Sequence, residues 1–182
     1  MDVADQGMKV FLVEKTPSIG GKMAQLDKTF PTLDCASCIL TPKMVAISRH
    51  KDIELLTYSE VREIRGKAGR FTVTVVKKPR YVNFDACTGC GECFLKCPAK
   101  VPDEFNLGLS ERRAIYLPFP QAVPRKATID AEHCWRLNPP EKMRKNAQER
   151  GITLCGVCAR VCLPKAIDFS QKEEVIDLKF LR

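Results

Sequence analysis

The stretch CTGCGECFLKCP, residues 87–98, restricts this chain more than any other. It places Cys87, Cys90, Cys93 and Cys97 at gaps of two, two and three residues, with Pro98 directly after. A loop with three cysteines spaced this way can wrap one corner of a cube, each thiolate reaching a different iron. Gly89 and Gly91 let the backbone approach closely, so that amide N–H groups can point at sulfur. Cys97 lies a helical turn beyond Cys93 and, in a run of this spacing, ligates the other cluster of a two-cluster ferredoxin. Structural zinc instead takes two well-separated ligand pairs. The pattern therefore predicts 4Fe–4S chemistry.

A second cluster needs three more thiolates and must return one to the first. Cys155, Cys158 and Cys162 alone are too few. Cys134 completes the set, and an internal repeat supports it. YVNFDAC (81–87) matches ATIDAEHC (127–134), and GCGECFLKCP (89–98) matches LCGVCARVCLP (154–164). The expected ligands are Cys87, Cys90, Cys93 and Cys162 for the first cluster, and Cys134, Cys155, Cys158 and Cys97 for the second. The alternative leaves Cys134 as a free buried thiol, with a second cluster that is three-iron or absent. His133 reads as a loop residue rather than a ligand. Between Cys134 and Cys155 lies an insert, PPEKMRKNAQERG, with Pro140 at a helix start and Gly151 at its stop, which predicts a short surface helix.

Cys35 and Cys38, in TLDCASCILTP, stand apart. They read as half of a further cluster site, as a redox dithiol, or as an inert buried pair. Two ligands cannot close a four-iron site, so a third cluster here requires thiolates from outside the chain.

The chain has 182 residues, ten of them cysteine, and a formal charge of +8. That length suits one ordinary domain or two small ones. No run of eighteen apolar residues predicts a membrane span, and the N-terminus carries no export signal. Clustered cysteines without such a signal predict a reducing, cytoplasmic setting and metal or redox chemistry rather than disulfides. Two clusters held by eight thiolates add a charge of about −4, so the basic balance does not argue for nucleic acid. Lys77, Lys78, Arg80 and the Arg112–Arg113 pair read as solvated surface.

Outside the cysteine-rich region, KVFLVE (9–14) predicts a buried parallel strand, and Gly20–Gly21 a helix start. TPKMVAISRH (41–50) predicts a helix with Pro42 near its first turn, and IELLTY (53–58) a strand. VREIRG (61–66) and RFTVTVV (70–76) predict a hairpin with Gly69 at positive φ. EEVIDLKFLR (173–182) alternates like a further strand. KVFLVEKTPSIGG also reads as the second strand of a dinucleotide-binding fold. Glu14 then ends the strand, where it can accept hydrogen bonds from ribose hydroxyls. Gly20 and Gly21 would allow close approach to the cofactor. The matching GxGxxG turn belongs about 20 residues before Glu14, ahead of this sequence.

At this point a family likeness becomes specific. VFLVEKTPSIGGKMAQLDKTFPTLDCASCILTPKM, IELLTYSEV and VPDEFNLGLSERRAIYLPFPQAVP resemble the A-type subunit of CoB–CoM heterodisulfide reductase and its relatives. The resemblance implies an α+β internal fragment. Residues 1–78 would be a partial FAD/NAD(P)-binding, thioredoxin-reductase-like α/β domain. Residues 79–170 would be an inserted two-cluster bacterial-type ferredoxin domain, and residues 171–182 a strand returning to the flavoprotein domain. It implies a flavin exchanging electrons with iron–sulfur clusters, with FAD held only by a complete flavoprotein domain. Implied partners are B/C-like subunits of the same complex and hydrogenase or dehydrogenase modules. The chain would then be part of an oxidoreductase rather than catalytic alone. The competing reading is an autonomous ferredoxin-like electron carrier whose residues 1–78 serve for docking.

Overall fold

The computed structural model describes residues 1–151 and 154–181. The chain mixes α and β structure and divides into two units. The first holds Met1–Pro79, Gln121–Pro124 and Lys172–Arg182; the second holds Arg80–Pro120 and Arg125–Gln171. Pro79 thus closes the first unit, and the short return at Gln121–Pro124 joins it because of Ser18. That buried side chain accepts from the Val123 amide (2.8 Å), while the Ile19 amide donates to the Val123 carbonyl (3.0 Å).

In the first unit the strand Val10–Glu14 pairs in parallel with Ile53–Thr57, in register from Val10↔Ile53 to Glu14↔Thr57. The parallel pairing is as expected, but Val10–Glu14 is only half-buried along its length rather than buried, and in Ile53–Thr57 only Leu56 and Thr57 are buried. The helix between them runs Ala36–Arg49, not from Thr41. Its start is set by Cys35, whose sulfur accepts the Cys38 amide at 3.3 Å and so satisfies one of the unpaired first-turn donors. Pro42 therefore lies inside the helix rather than in its first turn. Gly20–Gly21 open only a 3-10 turn, Gly21–Gln25.

Tyr58, at φ +58°, turns the chain out of the parallel pair and into the hairpin Ser59–Lys67/Arg70–Lys77. Gly69 sits at φ +82° in its turn. The final strand, Glu174–Leu181, pairs antiparallel with Arg70–Lys77, making a three-stranded sheet. The last residue of the expected strand, Arg182, lies outside the described residues. Val75 and Leu178 from this sheet and Leu56 from the parallel pair form the core, flanked by Phe11, Val13, Val73 and Ile176. The alternation of apolar residues in RFTVTVV and EEVIDLKF is what sends one face of the sheet inward.

The second unit has little regular structure. Two short helices, Glu92–Leu95 and Val157–Val161, each follow a cysteine loop. Backbone pairings weave the repeat halves together. Asn83 N donates to the Ala166 carbonyl (2.6 Å), Asp168 N to Tyr81 (3.0 Å) and Ile129 N to Arg80 (3.0 Å). Ile115–Tyr116 pairs with Thr128–Ile129, and a hairpin joins Lys100–Pro102 to Glu111–Arg113. The buried core is small: Val82, Ile115 and Ile129 among Ala99, Ala114, Ala127 and Ala166, with four of the cysteines. The insert forms the helix Glu141–Arg150, entered from Pro140 and ended by Gly151 at φ +59°. It buries none of its residues. A ten-residue helix is marginal alone, and this one gains from acidic Glu141 in its first turn, basic Arg150 in its last and the Glu141–Lys145 pair.

Candidate metal centres

Two cavities in the second unit are each bordered by four cysteines. The first is lined by Cys87, Cys90, Cys93 and Cys162. Asn83 positions its leading cysteine, because its side-chain oxygen accepts the Asp85 and Ala86 amides, both at 3.0 Å, and turns the chain into the loop. Gly89 and Gly91 then take φ +68° and +96°. A Cβ on Gly89 would sit 2.5 Å from the Arg125 carbonyl oxygen, and one on Gly91 2.9 Å from the Phe94 ring. Only glycine lets the loop close this tightly. Lys126 donates to the Cys87 carbonyl at 2.6 Å, and the Cys162 sulfur accepts the Ala166 amide at 3.2 Å.

The second cavity is lined by Cys97, Cys134, Cys155 and Cys158, with Ala99, Ile115, Ile129, Trp135 and Arg136 around them. Cys97, from the first motif, stands with three cysteines of the second, and Cys162, from the second, with three of the first. Cys134 is buried and takes its place in this set. Asp130 fixes its approach by accepting the Glu132 amide (3.1 Å), and His133 bonds the same Asp130 at 2.9 Å. His133 lines neither cavity.

The electrostatics of the two sets match their geometry. Burial pushes the Cys93 thiol up to about 11, reinforced by Cys87, Cys162 and Cys90. Burial pushes Cys158 up to about 12, reinforced by Cys134, Cys97 and Cys155. Cys134 is raised by burial as well, with Cys155 and Cys97 adding to it. Buried beside other cysteines, Cys93, Cys134 and Cys158 resist ionising unless a cationic group enters among them. Among the described residues no three His, Cys, Asp or Glu side chains converge on a single-ion site. A cubane spreads its four thiolates over the corners of a larger body, and the two cysteine-lined apolar cavities fit that demand.

Cys35 and Cys38 line neither cavity; both are exposed in the first unit. Hydrogen bonding by Cys38 and Ser37 lowers the Cys35 thiol, and the reciprocal bond raises Cys38. The reading of an inert buried pair is thereby corrected, because this loop leaves both sulfurs at the surface. Glu14 ends its strand as expected, and one of its carboxylate oxygens accepts the Thr16 amide (2.7 Å) and hydroxyl (2.8 Å). Gly20 and Gly21 both hold positive φ, +124° and +52°.

Two arginines that read as solvated surface are not. Arg80 is buried and donates to the Thr128 hydroxyl at 2.8 Å. Arg112, its side chain 9% exposed, pairs with Glu104 and with Asp130, whose carboxyl is held low chiefly by bonds from Arg112 and His133 against the opposing effect of burial. Arg112 also lies 4.0 Å over the Tyr116 ring.

The 4Fe-4S binding domain family matches residues 80–103. Over 98% of its length the chain is 53% identical to the A-type iron-sulfur subunit of the CoB–CoM heterodisulfide reductase of Methanocaldococcus jannaschii. Over 92% it is 53% identical to a protein of Archaeoglobus profundus named as similar to the A-type heterodisulfide reductase subunit. An A-type iron-sulfur subunit from Methanopyrus kandleri is 63% identical over 71% of the chain. The chain is related to the A-type subunit of heterodisulfide reductase. It spans 24% of the length of the first two relatives and 20% of the third. The relatives from Methanocaldococcus jannaschii and Methanopyrus kandleri are named as iron-sulfur subunits, which agrees with the 4Fe–4S match over the first cysteine motif. No helix among the described residues is long and apolar enough to cross a membrane.

Proposed function

We propose that this chain is an iron–sulfur electron-transfer segment of a heterodisulfide-reductase-like oxidoreductase, working between a flavin and the redox centres of partner subunits. The observation that carries the reading is the sorting of eight cysteines into two sets of four, with Cys97 and Cys162 exchanged between the motifs. Two 4Fe–4S clusters bound there would take up and release single electrons. Cys87, Cys90, Cys93 and Cys162 would hold one, and Cys134, Cys155, Cys158 and Cys97 the other. Gly89 and Gly91 would let the backbone come close to a cluster held by the first set, and the small alanine-rich core would cover the buried Cys87, Cys93, Cys134 and Cys158 side of the two sites. Lys126 and Arg136 would set positive charge beside the anionic clusters.

In the longer protein, Glu14, Gly20 and Gly21 would serve the ribose side of an FAD site completed by other segments. Cys35 and Cys38 would join a third cluster with thiolates from outside this chain. Partners would be B/C-like subunits and hydrogenase or dehydrogenase modules in a cytoplasmic complex. The names of two relatives support this setting. One belongs to an H(2):CoB-CoM heterodisulfide,ferredoxin reductase from Methanothermobacter thermautotrophicus, the other to its H(2)/formate counterpart from Methanococcus maripaludis.

Anaerobic reconstitution with iron and sulfide tests the reading. A brown protein with broad visible charge-transfer absorption, bleached by dithionite, is expected. A colourless protein that binds zinc stoichiometrically in its place would refute it.

A further inference from the structure

Three consecutive residues, from outside both cysteine motifs, press on the first cysteine loop. The Arg125 carbonyl oxygen lies 2.5 Å from where a Cβ on Gly89 would stand. Lys126 donates to the Cys87 carbonyl at 2.6 Å, and buried Ala127 lines the cavity. The next two residues, Thr128–Ile129, are pinned by their pairing with Ile115–Tyr116 and by the Arg80 bond to the Thr128 hydroxyl. The segment is therefore a fixed strap across the loop.

Lys126 brings a charge to the first ligand of that loop. Its side chain is half-buried, and its ammonium lies 5.0 Å from the centre of the Phe84 ring. Among the described residues no ion pair engages it. Taking an ammonium partly out of water without a carboxylate is costly, which calls for an anion close by. Apart from the cysteines, Glu92 alone among the described residues brings an ionisable side chain to the wall of this cavity, and it is exposed. The wall itself holds no cation, so compensation of thiolate charge there falls to Lys126. The bond to Cys87 adds a second effect. It keeps the negative end of that peptide turned toward a cation, with the Thr88 N–H of the same planar unit directed the opposite way.

We propose that Lys126 is a positioning residue of the first site, fixing the Cys87 ligand and making a cluster held there easier to reduce. The proposal rests on the iron–sulfur reading. A cluster gains one negative charge with each electron it accepts, so a fixed cation beside it stabilises the reduced form more than the oxidised one. Half-burial limits the screening of that charge by salt.

The test is a redox titration of the reconstituted chain with dithionite as electron donor, followed by EPR, with iron analysis of every variant. Lys126→Met and Lys126→Gln should each make reduction of one centre about tenfold less favourable, a potential about 59 mV lower for a one-electron couple. The other centre should not move, and Cys90→Ser should remove the centre that does. Lys126→Arg, which keeps the charge and the donors, should titrate like the parent. So should Lys145→Met, whose ammonium pairs with Glu141 on the insert helix. A parent chain that takes up no iron would refute the iron–sulfur reading itself. Normal iron with unmoved potentials in both uncharged variants, a shift in the centre that survives Cys90→Ser, or an equal shift in Lys145→Met would overturn the role of Lys126 and leave that reading intact. Loss of first-site iron in the uncharged variants with retention in Lys126→Arg would support the role, whereas loss in all three would overturn it.

Discussion

Replacing Cys97 by serine is the sharpest perturbation of the ligand sets. The residue belongs to the first motif in sequence, yet its sulfur borders the second cavity, together with Cys134, Cys155 and Cys158. The substitution removes one of four thiols there and none of the four around the first cavity. On the proposed reading each full site would hold four irons, so reconstituted iron should fall from about eight to about four per chain. The loss should be confined to the second site. The structure gives little ground for rescue from nearby, since His133, adjacent in sequence to Cys134, is held by Asp130. The assay is iron and acid-labile sulfide analysis, with EPR of the dithionite-reduced protein to count the remaining centre. A second substitution, Cys90→Ser, made in the Cys97→Ser background identifies which site survives: it should remove the remaining signal. Reasoning from the exchanged cysteines would be refuted if Cys97→Ser emptied the site of Cys87, Cys90 and Cys93 and left the other intact.

Gly89→Ala forces a non-glycine residue to φ +68° with its Cβ 2.5 Å from the Arg125 carbonyl oxygen, a strain of about 1–2 kcal/mol before any clash. Iron at the first site should fall, while Gly156→Ala, with open space around it, should reconstitute normally. Arg112→Met leaves the Asp130 carboxylate, 15% exposed, without its main partner, and should lower urea stability by about 3 kcal/mol; an unchanged midpoint would show the pair to be dispensable. The Cys93 and Cys158 thiols, raised to about 11 and 12, are protonated at neutral pH and must lose protons to ligate. Cluster assembly should therefore release protons and strengthen as pH rises, and a reconstitution yield that declines from neutral to mildly alkaline pH contradicts this. Cys35, lowered by its bonds with Cys38 and Ser37, should be alkylated by iodoacetamide at lower pH than Cys38, which peptide mass spectrometry reads directly.

Features that depend on near neighbours in sequence are legible in it. The cysteine spacings, the repeat that points to Cys134, the hairpin around Gly69 and the insert helix between Pro140 and Gly151 are all set by a few adjacent residues. The helix Ala36–Arg49 begins five residues before its sequence signal, because Pro42 is a common first-turn marker and a cysteine is an uncommon cap. Arg80 and Arg112 are misleading in sequence for a different reason. The partner of Arg80, Thr128, lies 48 residues away, and Asp130 lies 18 residues from Arg112. Charge pattern alone gives no view of such partners. The Lys100–Pro102/Glu111–Arg113 hairpin escapes a sequence reading, since its strands are only three residues long and its tip, FNLGLS, mixes apolar residues with one glycine and carries no two-residue turn signal.

The central claim is two four-iron sites in one chain, and iron and acid-labile sulfide after anaerobic reconstitution measure it most directly. The account predicts saturation at about eight of each per chain, with the eight cysteines of the second unit protected from alkylation and Cys35 and Cys38 labelled. Saturation at about four, with Cys134 labelled, would contradict it.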